Sequence, residues 1–398
     1  MSEYARQSAR RASGRHGRSG RTGLSGRTGL AGLAGLAFLA AALLAFTACG
    51  AAMTTPPSTQ KQYRLVRNGH QGPFTLSLVD APVRPPGEHE VLVKVHAASL
   101  NRRDIFVLQG QYPIGQRDSL VPLSDGAGEV VAVGPGVTRL RVGDRVASIF
   151  FQAWLSGRPS PQVAGSALGG QLDGMLSQYV TLNEQGLVKI PPGLSYEEAA
   201  TLPCAGVTAW NGLFTRGRLQ RGDTVLLEGT GGVSVLGLQL AVAAGAKPII
   251  TSSHDSKLER AQQLGAVGTV NYKKHPDWEK DVRELTGGLG AQEILEVGGK
   301  DTLAHALASL APGGHIALIG GLSGFGGEVP VMALMGSNAT VSGIYVGSRA
   351  DFEALLDFIQ KHHVKPVVDR VIPFGDASEA FKLMEADEFF GKIVIRVQ

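Results

Sequence analysis

A cluster of glycines followed by a helix carries the clearest chemical signal in this sequence. The stretch 223–253 reads DTVLLEGTGGVSVLGLQLAVAAGAKPIITSS. Its glycines let the backbone turn tightly and bring N–H groups close to a pyrophosphate. The positive end of the helix that follows stabilises the phosphate charge. The predicted cofactor-binding residues in this turn are Gly229, Thr230, Gly231, Gly232 and Val233.

The elements around the turn are those that this chemistry requires. The apolar run 224–227 predicts a strand of a parallel sheet that is covered on both faces, and Ile249 and Ile250 end a second strand after the helix. The predicted fold class is therefore α/β, with a Rossmann-type parallel sheet. Ser234 stands where the fingerprint has its third glycine, which normally allows close packing of helix on strand. A glycine-rich loop without a ligand is the alternative.

The residues after the second strand bear on the choice of cofactor. An NAD site usually carries a carboxylate here for the ribose 2′-OH, and that carboxylate would repel a 2′-phosphate. This chain has Ser252 and Ser253, with Lys257 nearby, a set that suits a phosphate. The sequence therefore favours NADP(H) over NAD(H). Asp255 argues against this choice, and a solvated first-turn charge is the alternative for Lys257.

Length and charge are consistent with a two-domain enzyme. The chain has 398 residues, 54 glycines and 43% hydrophobic content. Residues 1–49 hold seven arginines and one acid, a net charge of +6, so the formal charge of +4 leaves −2 for the remainder. The basic balance belongs to the leader, and no nucleic-acid partner is predicted.

The N-terminal segment 1–49 predicts an export signal. Its arginine-rich start leads into an apolar run that ends in small residues before Cys49, which resembles a bacterial lipoprotein signal with a lipidated cysteine. We therefore expect an exported, membrane-anchored lipoprotein with a polar tether, 50–62, before a domain that begins at about Tyr63. The alternative is translation from Met53, which would make the protein cytoplasmic.

Several motifs resemble the medium-chain dehydrogenase/reductase superfamily. VLVKVHAASLNRRD and VPLSDGAGEVVAVGPGVTRLRVGDRV resemble its catalytic domain, and TLPCAGVTAW resembles the hinge into its cofactor domain. The resemblance implies a GroES-like antiparallel β domain, 63–200 and 346–398, a Rossmann cofactor domain, 201–345, and a homodimer or homotetramer. Independently of the resemblance, glycine turns between short alternating apolar runs predict a twisted, barrel-like antiparallel domain.

The resemblance also raises the question of zinc. Zinc alcohol dehydrogenases of the family hold their catalytic metal with two cysteines and a histidine, and the matching positions here are Asn101, Ser124 and Cys204. A catalytic zinc needs three protein ligands, and one thiolate cannot hold it. The four-cysteine structural zinc loop is also missing, because the chain has two cysteines. We therefore predict no metal, and Cys204 as a small packed residue.

Without zinc, the acceptor must spread the charge that the hydride brings. The zinc-independent branch, which includes quinone oxidoreductases and enoyl reductases, delivers hydride from NADPH to conjugated acceptors. The resemblance thus implies a quinone or α,β-unsaturated carbonyl as substrate, polarised by hydrogen-bond donors. Two alternatives stay open: an NAD(P)-dependent alcohol or aldehyde oxidoreductase, and a nucleotide-binding, membrane-tethered protein without turnover.

The catalytic candidates lie in two of the family motifs. Asn101 is the expected donor to the acceptor oxygen, and Asp104 accompanies it in the SLNRRD turn. Thr208 matches a family position that borders the nicotinamide. The alternatives are structural, because Asn101 and Asp104 could simply hold the turn and Thr208 could be an ordinary helix residue.

Further cofactor contacts are expected from later segments. Arg102 matches a family position that meets the pyrophosphate, and Gly320 and Gly321 end a strand at the edge where ligands bind. Arg349 and Lys392 are predicted to reach phosphate oxygens in the interdomain cleft. A surface charge is the alternative for each of these three cations. The loops 106–116 and 151–170 are expected to build the acceptor pocket.

Overall fold

The computed structural model of the protein describes residues 56–69, 72–112, 117–326 and 328–398. The predicted leader, its lipidation site Cys49 and the alternative start Met53 lie outside these ranges. Across the described ranges, no helix is both long enough and apolar enough to cross a membrane.

The first strand begins at Thr59, inside the stretch 50–62 that the sequence predicts as a tether. Two sets of contacts extend the folded part to this point. Thr59 pairs with Pro82 of the next strand, and the Gln60 side chain accepts hydrogen bonds from the Ser177 hydroxyl and the Tyr179 backbone N–H. The tether prediction is therefore too long at its C-terminal end.

The described residues form sixteen strands. They are β1 (Thr59–Arg67), β2 (Phe74–Pro82), β3 (Glu90–Ser99), β4 (Ser119–Leu120), β5 (Asp125–Val133), β6 (Arg145–Ser148), β7 (Tyr179–Asn183), β8 (Leu187–Lys189), β9 (Thr224–Leu227), β10 (Lys247–Ser252), β11 (Gly268–Asn271), β12 (Ala291–Glu296), β13 (Leu310–Leu318), β14 (Thr340–Gly343), β15 (Val368–Pro373) and β16 (Lys392–Arg396).

The same ranges contain ten α-helices. They are α1 (Arg102–Leu108), α2 (Tyr196–Ala200), α3 (Val207–Trp210), α4 (Gly232–Ala244), α5 (Asp255–Gln263), α6 (Trp278–Leu285), α7 (Leu303–Ser309), α8 (Val331–Ser337), α9 (Arg349–His362) and α10 (Ala377–Glu385). Two π-helical segments, Leu202–Gly206 and Asn211–Arg216, flank α3.

Six strands form a parallel sheet in the order β11-β10-β9-β12-β13-β14. Each neighbouring pair is parallel, which confirms the predicted Rossmann-type sheet. Its inner strands β9 and β12 are largely buried, as in parallel sheets that helices cover on both faces. The strand order reverses beside β9, and ligands of such sheets bind outside the carboxyl ends at this point.

The remaining strands are largely antiparallel, which confirms the second part of the predicted fold. One sheet follows the order β15-β16-β3-β5-β6-β8 with β7 also paired to β3, and a smaller sheet has the order β2-β1-β4. A Cβ on Gly128 would lie 2.1 Å from the Lys94 carbonyl oxygen, so this crossing of β5 over β3 requires glycine. The C-terminal strand β16 pairs antiparallel with β3 through Val394 and Ser99, which brings the start of β16 beside the end of β3.

Candidate active site

A cavity of about 420 Å³ lies where the carboxyl ends of the parallel strands face the antiparallel sheet. It is large enough for a small-molecule ligand, and apolar side chains dominate its lining with a few polar groups among them. Most of the predicted site residues line it: Asn101, Arg102, Thr208, Gly229, Thr230, Gly231, Gly232, Val233, Ser252, Ser253, Lys257, Gly320, Gly321 and Lys392.

The glycine turn has the conformation that an anion site needs. Gly229 has φ of 72°, in the left-handed region that favours glycine, and its N–H donates to the Thr251 hydroxyl. Gly231 is the N-cap of α4 and supplies no side chain to the first-turn N–H groups, and a Cβ there would meet no protein atom within 4 Å. The helix start therefore has donors and space for a phosphate, so these residues fit a dinucleotide pyrophosphate.

Ser234, the departure from the glycine fingerprint, has a structural role. It is buried, and its hydroxyl donates to the Glu228 carbonyl oxygen at 2.5 Å, which ties the first turn of α4 to the end of β9. Close packing of helix on strand occurs three residues later, about one turn further along α4, at Gly237. A Cβ there would lie 2.8 Å from Leu295 Cδ1 and 3.0 Å from Leu227 Cδ2. Gly237 was not predicted as a packing residue from the sequence, although a glycine inside a helix is itself a signal of close packing.

At the end of β10, the two predicted serines and Lys257 line the cavity. Ser252 is buried with its hydroxyl 3.4 Å from that of Thr230, and the Ser253 hydroxyl lies 2.8 Å from His254 Nδ1. The Lys257 ammonium donates to the Asp387 carbonyl oxygen at 2.7 Å.

Arg102, the first residue of α1, reaches the same residue. Its guanidinium lies 2.7 Å from the Asp387 carboxylate and donates to the Met384 carbonyl oxygen. Two cations predicted to meet phosphates therefore converge on Asp387, a cavity residue for which the sequence offered no signal.

The Lys392 side chain was predicted to reach a cofactor phosphate, but in the structure its ammonium bonds other groups of the protein. Lys392 is 2% exposed, and its ammonium donates to Asn101 Oδ1 at 2.6 Å and to the Leu100 carbonyl oxygen at 2.5 Å. The pairing of β16 with β3 causes this placement, because it sets the first residue of β16 against the chain that leaves β3. Lys392 also lies 3.6 Å from the buried Asp125 carboxylate.

Asn101 and Ser124, two of the three positions that match the family's zinc ligands, belong to this polar cluster. Asn101 Nδ2 lies 3.5 Å from Ser124 Oγ, which donates to Asp125 Oδ1 at 2.7 Å. The Cys204 backbone N–H donates to Asp125 Oδ2. Burial, followed by the Asp125 charge, raises the pKa of the Cys204 thiol, which disfavours the thiolate that zinc requires.

Within the described part of the chain, no group of three or more His, Cys, Asp or Glu side chains could hold a metal ion. The donor set at the three matching positions is an amide, a hydroxyl and a neutral thiol, with a lysine ammonium bonded to the amide. These residues do not fit a zinc ion.

Two predicted site residues lie off the cavity. Asp104 accepts a hydrogen bond from the Asn101 backbone N–H at 2.7 Å and so caps α1, which is the structural alternative for this turn. Burial raises its pKa to about 6. Arg349 is the first residue of α9, and its guanidinium bonds Gln185 and lies 3.4 Å from the Glu353 carboxylate. The prediction that Arg349 binds a cofactor phosphate is wrong in this structure.

The other end of the cavity is lined by aromatic side chains. None of the residues described next was predicted from the sequence as a site residue. The hydroxyls of Tyr112 and Tyr345 are hydrogen-bonded to each other. The buried Arg103 guanidinium lies over the rings of Tyr112, at 5.1 Å, and Phe150, at 4.7 Å. Burial raises the pKa of both tyrosines, so their hydroxyls stay protonated at neutral pH. Phe106, Phe325 and Phe389 also line the cavity.

These aromatic residues only partly match the predicted pocket loops. The loop 106–116 supplies Phe106 and Tyr112, whereas the described residues of 151–170 supply no lining side chain, and Phe150 lies just before that loop. No local motif marks the tyrosine pair, because its members are 233 residues apart in the sequence.

A pair of buried carboxyl groups lies under the glycine turn. Glu228 follows β9 and lines the cavity, and Glu296 ends the adjacent strand β12. Burial, and next the charge of Glu296, raises the pKa of Glu228 well above its usual range. Glu296 accepts hydrogen bonds from the Gly299 N–H and the Thr302 hydroxyl, so Glu228 is the member of the pair that stays protonated.

A parallel sheet with a glycine turn, facing an antiparallel domain across a cleft, is the architecture of dinucleotide-binding oxidoreductases. Residues 87–192 match the alcohol dehydrogenase GroES-like domain, and residues 232–361 match the zinc-binding dehydrogenase family. The chain belongs to the medium-chain dehydrogenase/reductase superfamily, as the sequence motifs predicted.

Three known proteins illustrate the similarity. A zinc-type alcohol dehydrogenase-like protein of Schizosaccharomyces pombe is 43% identical over 318 residues, which cover 78% of this chain and 91% of that protein. The crystal structure of an NAD-dependent alcohol dehydrogenase is 36% identical with a TM-score of 0.77, covering 85% of this chain and 100% of the other. A mycobacterial protein in complex with NADPH is 29% identical with a TM-score of 0.70, at the same coverage of both chains.

Proposed function

We propose that the protein is an NADPH-dependent, zinc-independent oxidoreductase that transfers hydride to a quinone or an α,β-unsaturated carbonyl. The observation that carries this proposal is the Lys392–Asn101 hydrogen bond, which puts an ammonium and an amide where zinc-dependent relatives need metal ligands. A conjugated acceptor spreads the arriving negative charge, so hydrogen-bond donors suffice where a simple carbonyl would need a Lewis acid.

NADPH supplies the hydride when bound, and the residues at the end of β10 favour it over NADH. Ser252 and Ser253 offer hydroxyls without the carboxylate that an NAD site would place there, and Lys257 offers a cation. The relatives include both an NAD-dependent enzyme and a protein that binds NADPH, so the serine pair and Lys257 carry this part of the proposal.

The acceptor end has two kinds of donor for the developing oxyanion. Asn101 turns its oxygen toward Lys392 and one Nδ2 hydrogen toward Ser124, so the second Nδ2 hydrogen is the donor available to a substrate. The Tyr112 hydroxyl, hydrogen-bonded to that of Tyr345, stays protonated and is a second hydrogen-bond donor for the oxyanion. The aromatic lining suits a flat conjugated ring, which can stack on these side chains.

Two alternatives are separated by the same assay. The similarity to alcohol dehydrogenases supports an alcohol or aldehyde oxidoreductase as the first alternative. A nucleotide-binding protein without turnover is the alternative from another class. Dialysed protein is incubated with NADPH or NADH and a panel of 1,4-benzoquinone, an enone and an aldehyde, and loss of reduced nicotinamide absorbance is followed.

Turnover of quinone or enone with preference for NADPH supports the proposal. Turnover of the aldehyde alone contradicts it and supports the alcohol dehydrogenase alternative. Cofactor binding without turnover of any acceptor contradicts it in favour of the binding protein.

We also propose that two copies of this chain associate through α8 and the edge strand β14. The side chains of Val331, Met332 and Met335 are 61%, 78% and 70% exposed, and β14 ends the parallel sheet. Such an apolar surface beside an unpaired strand edge is typical of a subunit interface. Light scattering after gel filtration should give a dimer or tetramer, and Met332→Asp should halve that mass.

The lipid anchor at Cys49 remains a proposal that follows from the sequence. Attachment predicts an intact mass for the native protein that equals the chain from Cys49 onward plus its acyl groups. A mass that begins at Met53 would instead place the protein in the cytoplasm.

A further inference from the structure

A buried ring of polar side chains lies between the glycine turn and the aromatic end of the cavity. The Lys392 ammonium donates to Asn101 Oδ1, and Asn101 Nδ2 lies 3.5 Å from Ser124 Oγ. Ser124 donates to Asp125 Oδ1, and Asp125 Oδ2 lies 3.6 Å from the Lys392 ammonium, which closes the ring. All four side chains are at least 92% buried, since Asn101 has the largest exposed fraction at 8%.

The charge balance of this ring depends on Lys392. Asp125 is 0% exposed, and a buried carboxylate without a cation is costly. Lys392 is the cation bonded within this ring, and its remaining donor goes to the Leu100 carbonyl oxygen. Its alkyl chain also packs on the cofactor turn, because a Cβ on Gly232 would lie 2.5 Å from Lys392 Cδ.

We propose that the Lys392 ammonium takes the place of the metal ion of zinc-dependent family members, as an internal cation that balances Asp125, orients Asn101 and keeps divalent metals out. The hydrogen bond from Lys392 to Asn101 Oδ1 determines which side of the Asn101 amide faces a substrate. Lys392 is therefore a positioning residue for the amide donor. That role in turnover rests on the proposed function, whereas the exclusion of metal does not.

Metal uptake tests the exclusion without any turnover. In one variant, Asn101→Cys and Ser124→His restore the family's ligand set beside Cys204 while Lys392 is kept. A second variant adds Lys392→Met, which retains the length of the stem and removes the charge. Each protein is dialysed against cobalt(II) chloride, and the visible absorption of cobalt–thiolate bonds and the bound metal are measured.

We expect about one cobalt per chain in the variant that lacks the lysine. The variant that retains Lys392 should bind cobalt at least roughly tenfold more weakly, because two like charges would lie within a few ångströms. Equal cobalt binding by the two variants would overturn the proposal. The proposal would also be overturned if neither variant bound cobalt although both had the melting temperature of the parent protein.

A second experiment covers the case in which these variants do not fold. Lys392→Ala removes the ammonium and leaves a space close to the size of the lysine side chain. Ethylammonium or propylammonium is then added to the assay to replace the missing ammonium. We expect an acceptor turnover at least roughly tenfold below the parent, and recovery with the primary ammonium ions but not with tetramethylammonium. Equal effects of all these salts, or parent-like turnover without them, would contradict the positioning role.

Discussion

The Lys392 ammonium donates to Asn101 Oδ1 at 2.6 Å across 291 residues of sequence. This bond joins the last strand of the antiparallel sheet to the turn that follows β3, at the border of the cofactor and acceptor ends of the cavity. It gives the Asn101 amide a defined orientation, because an ammonium can only donate and must face the amide oxygen. The amide nitrogen is therefore the group left to bind a substrate oxygen.

Replacing Asn101 with aspartate separates the two roles of the amide. Asn101→Asp keeps an acceptor for Lys392 but removes the Nδ2 donor, so kcat should fall by about 10²-fold. The dissociation constant of NADPH should stay unchanged, because this change lies at the acceptor end. Steady-state kinetics and fluorescence titration measure the two quantities, and a parent-like kcat would exclude Asn101 as the donor.

Cofactor preference should change with the charge at the end of β10. Ser253→Asp introduces the carboxylate of an NAD site beside Lys257, and it should lower kcat/KM for NADPH by about 10–100-fold through repulsion of the 2′-phosphate. The value for NADH should change little. Ser253→Asn is the matched neutral control. If both variants keep the parent's ratio of kcat/KM values, the cofactor's 2′ position lies elsewhere.

Two neighbouring glycines of the turn should respond differently to an added methyl group. A Cβ on Gly232 would lie 2.5 Å from Lys392 Cδ, whereas a Cβ on Gly231 would meet no protein atom within 4 Å. Gly232→Ala should lower the free energy of unfolding by about 1–3 kcal/mol, because the lysine stem must move. Gly231→Ala should change it by less than about 0.5 kcal/mol. Urea denaturation of the ligand-free proteins tests this order, and a reversal would show that Lys392 does not pack on the turn.

The Glu228–Glu296 pair predicts a pH-dependent stability. Burial and Glu296 raise the pKa of Glu228 in the folded protein, so its contribution is complete below the usual glutamate range and is lost as the pH rises toward the raised value. Glu228→Gln removes this ionisation. The melting temperature of the variant minus that of the parent should therefore increase with pH, by roughly 2–5 °C between mildly acidic and alkaline buffers. A difference that stays constant with pH would contradict the assignment.

The sequence predicted the parts of this molecule that depend on local pattern. Gly229 and Gly231 could be placed because the strand, turn and helix around them are contiguous, and the antiparallel domain followed from regular glycine turns. Asp387 and the tyrosine pair could not be found, since long-range pairing of strands alone brings them to the cavity. The same pairing explains why Lys392, correctly predicted to line the cleft, bonds an amide and not a phosphate.

Hydride transfer in the absence of metal is the central claim, and isotope transfer tests it most directly. NADPH deuterated at the nicotinamide C4, on each face in turn, is mixed with protein dialysed against EDTA and a cyclic enone in ordinary water. We predict a saturated ketone that carries one deuterium at the carbon β to the carbonyl, from one face of the nicotinamide only, with a rate unchanged by added zinc. A product without deuterium from both labelled cofactors, or transfer that appears only after zinc is added, would contradict the account.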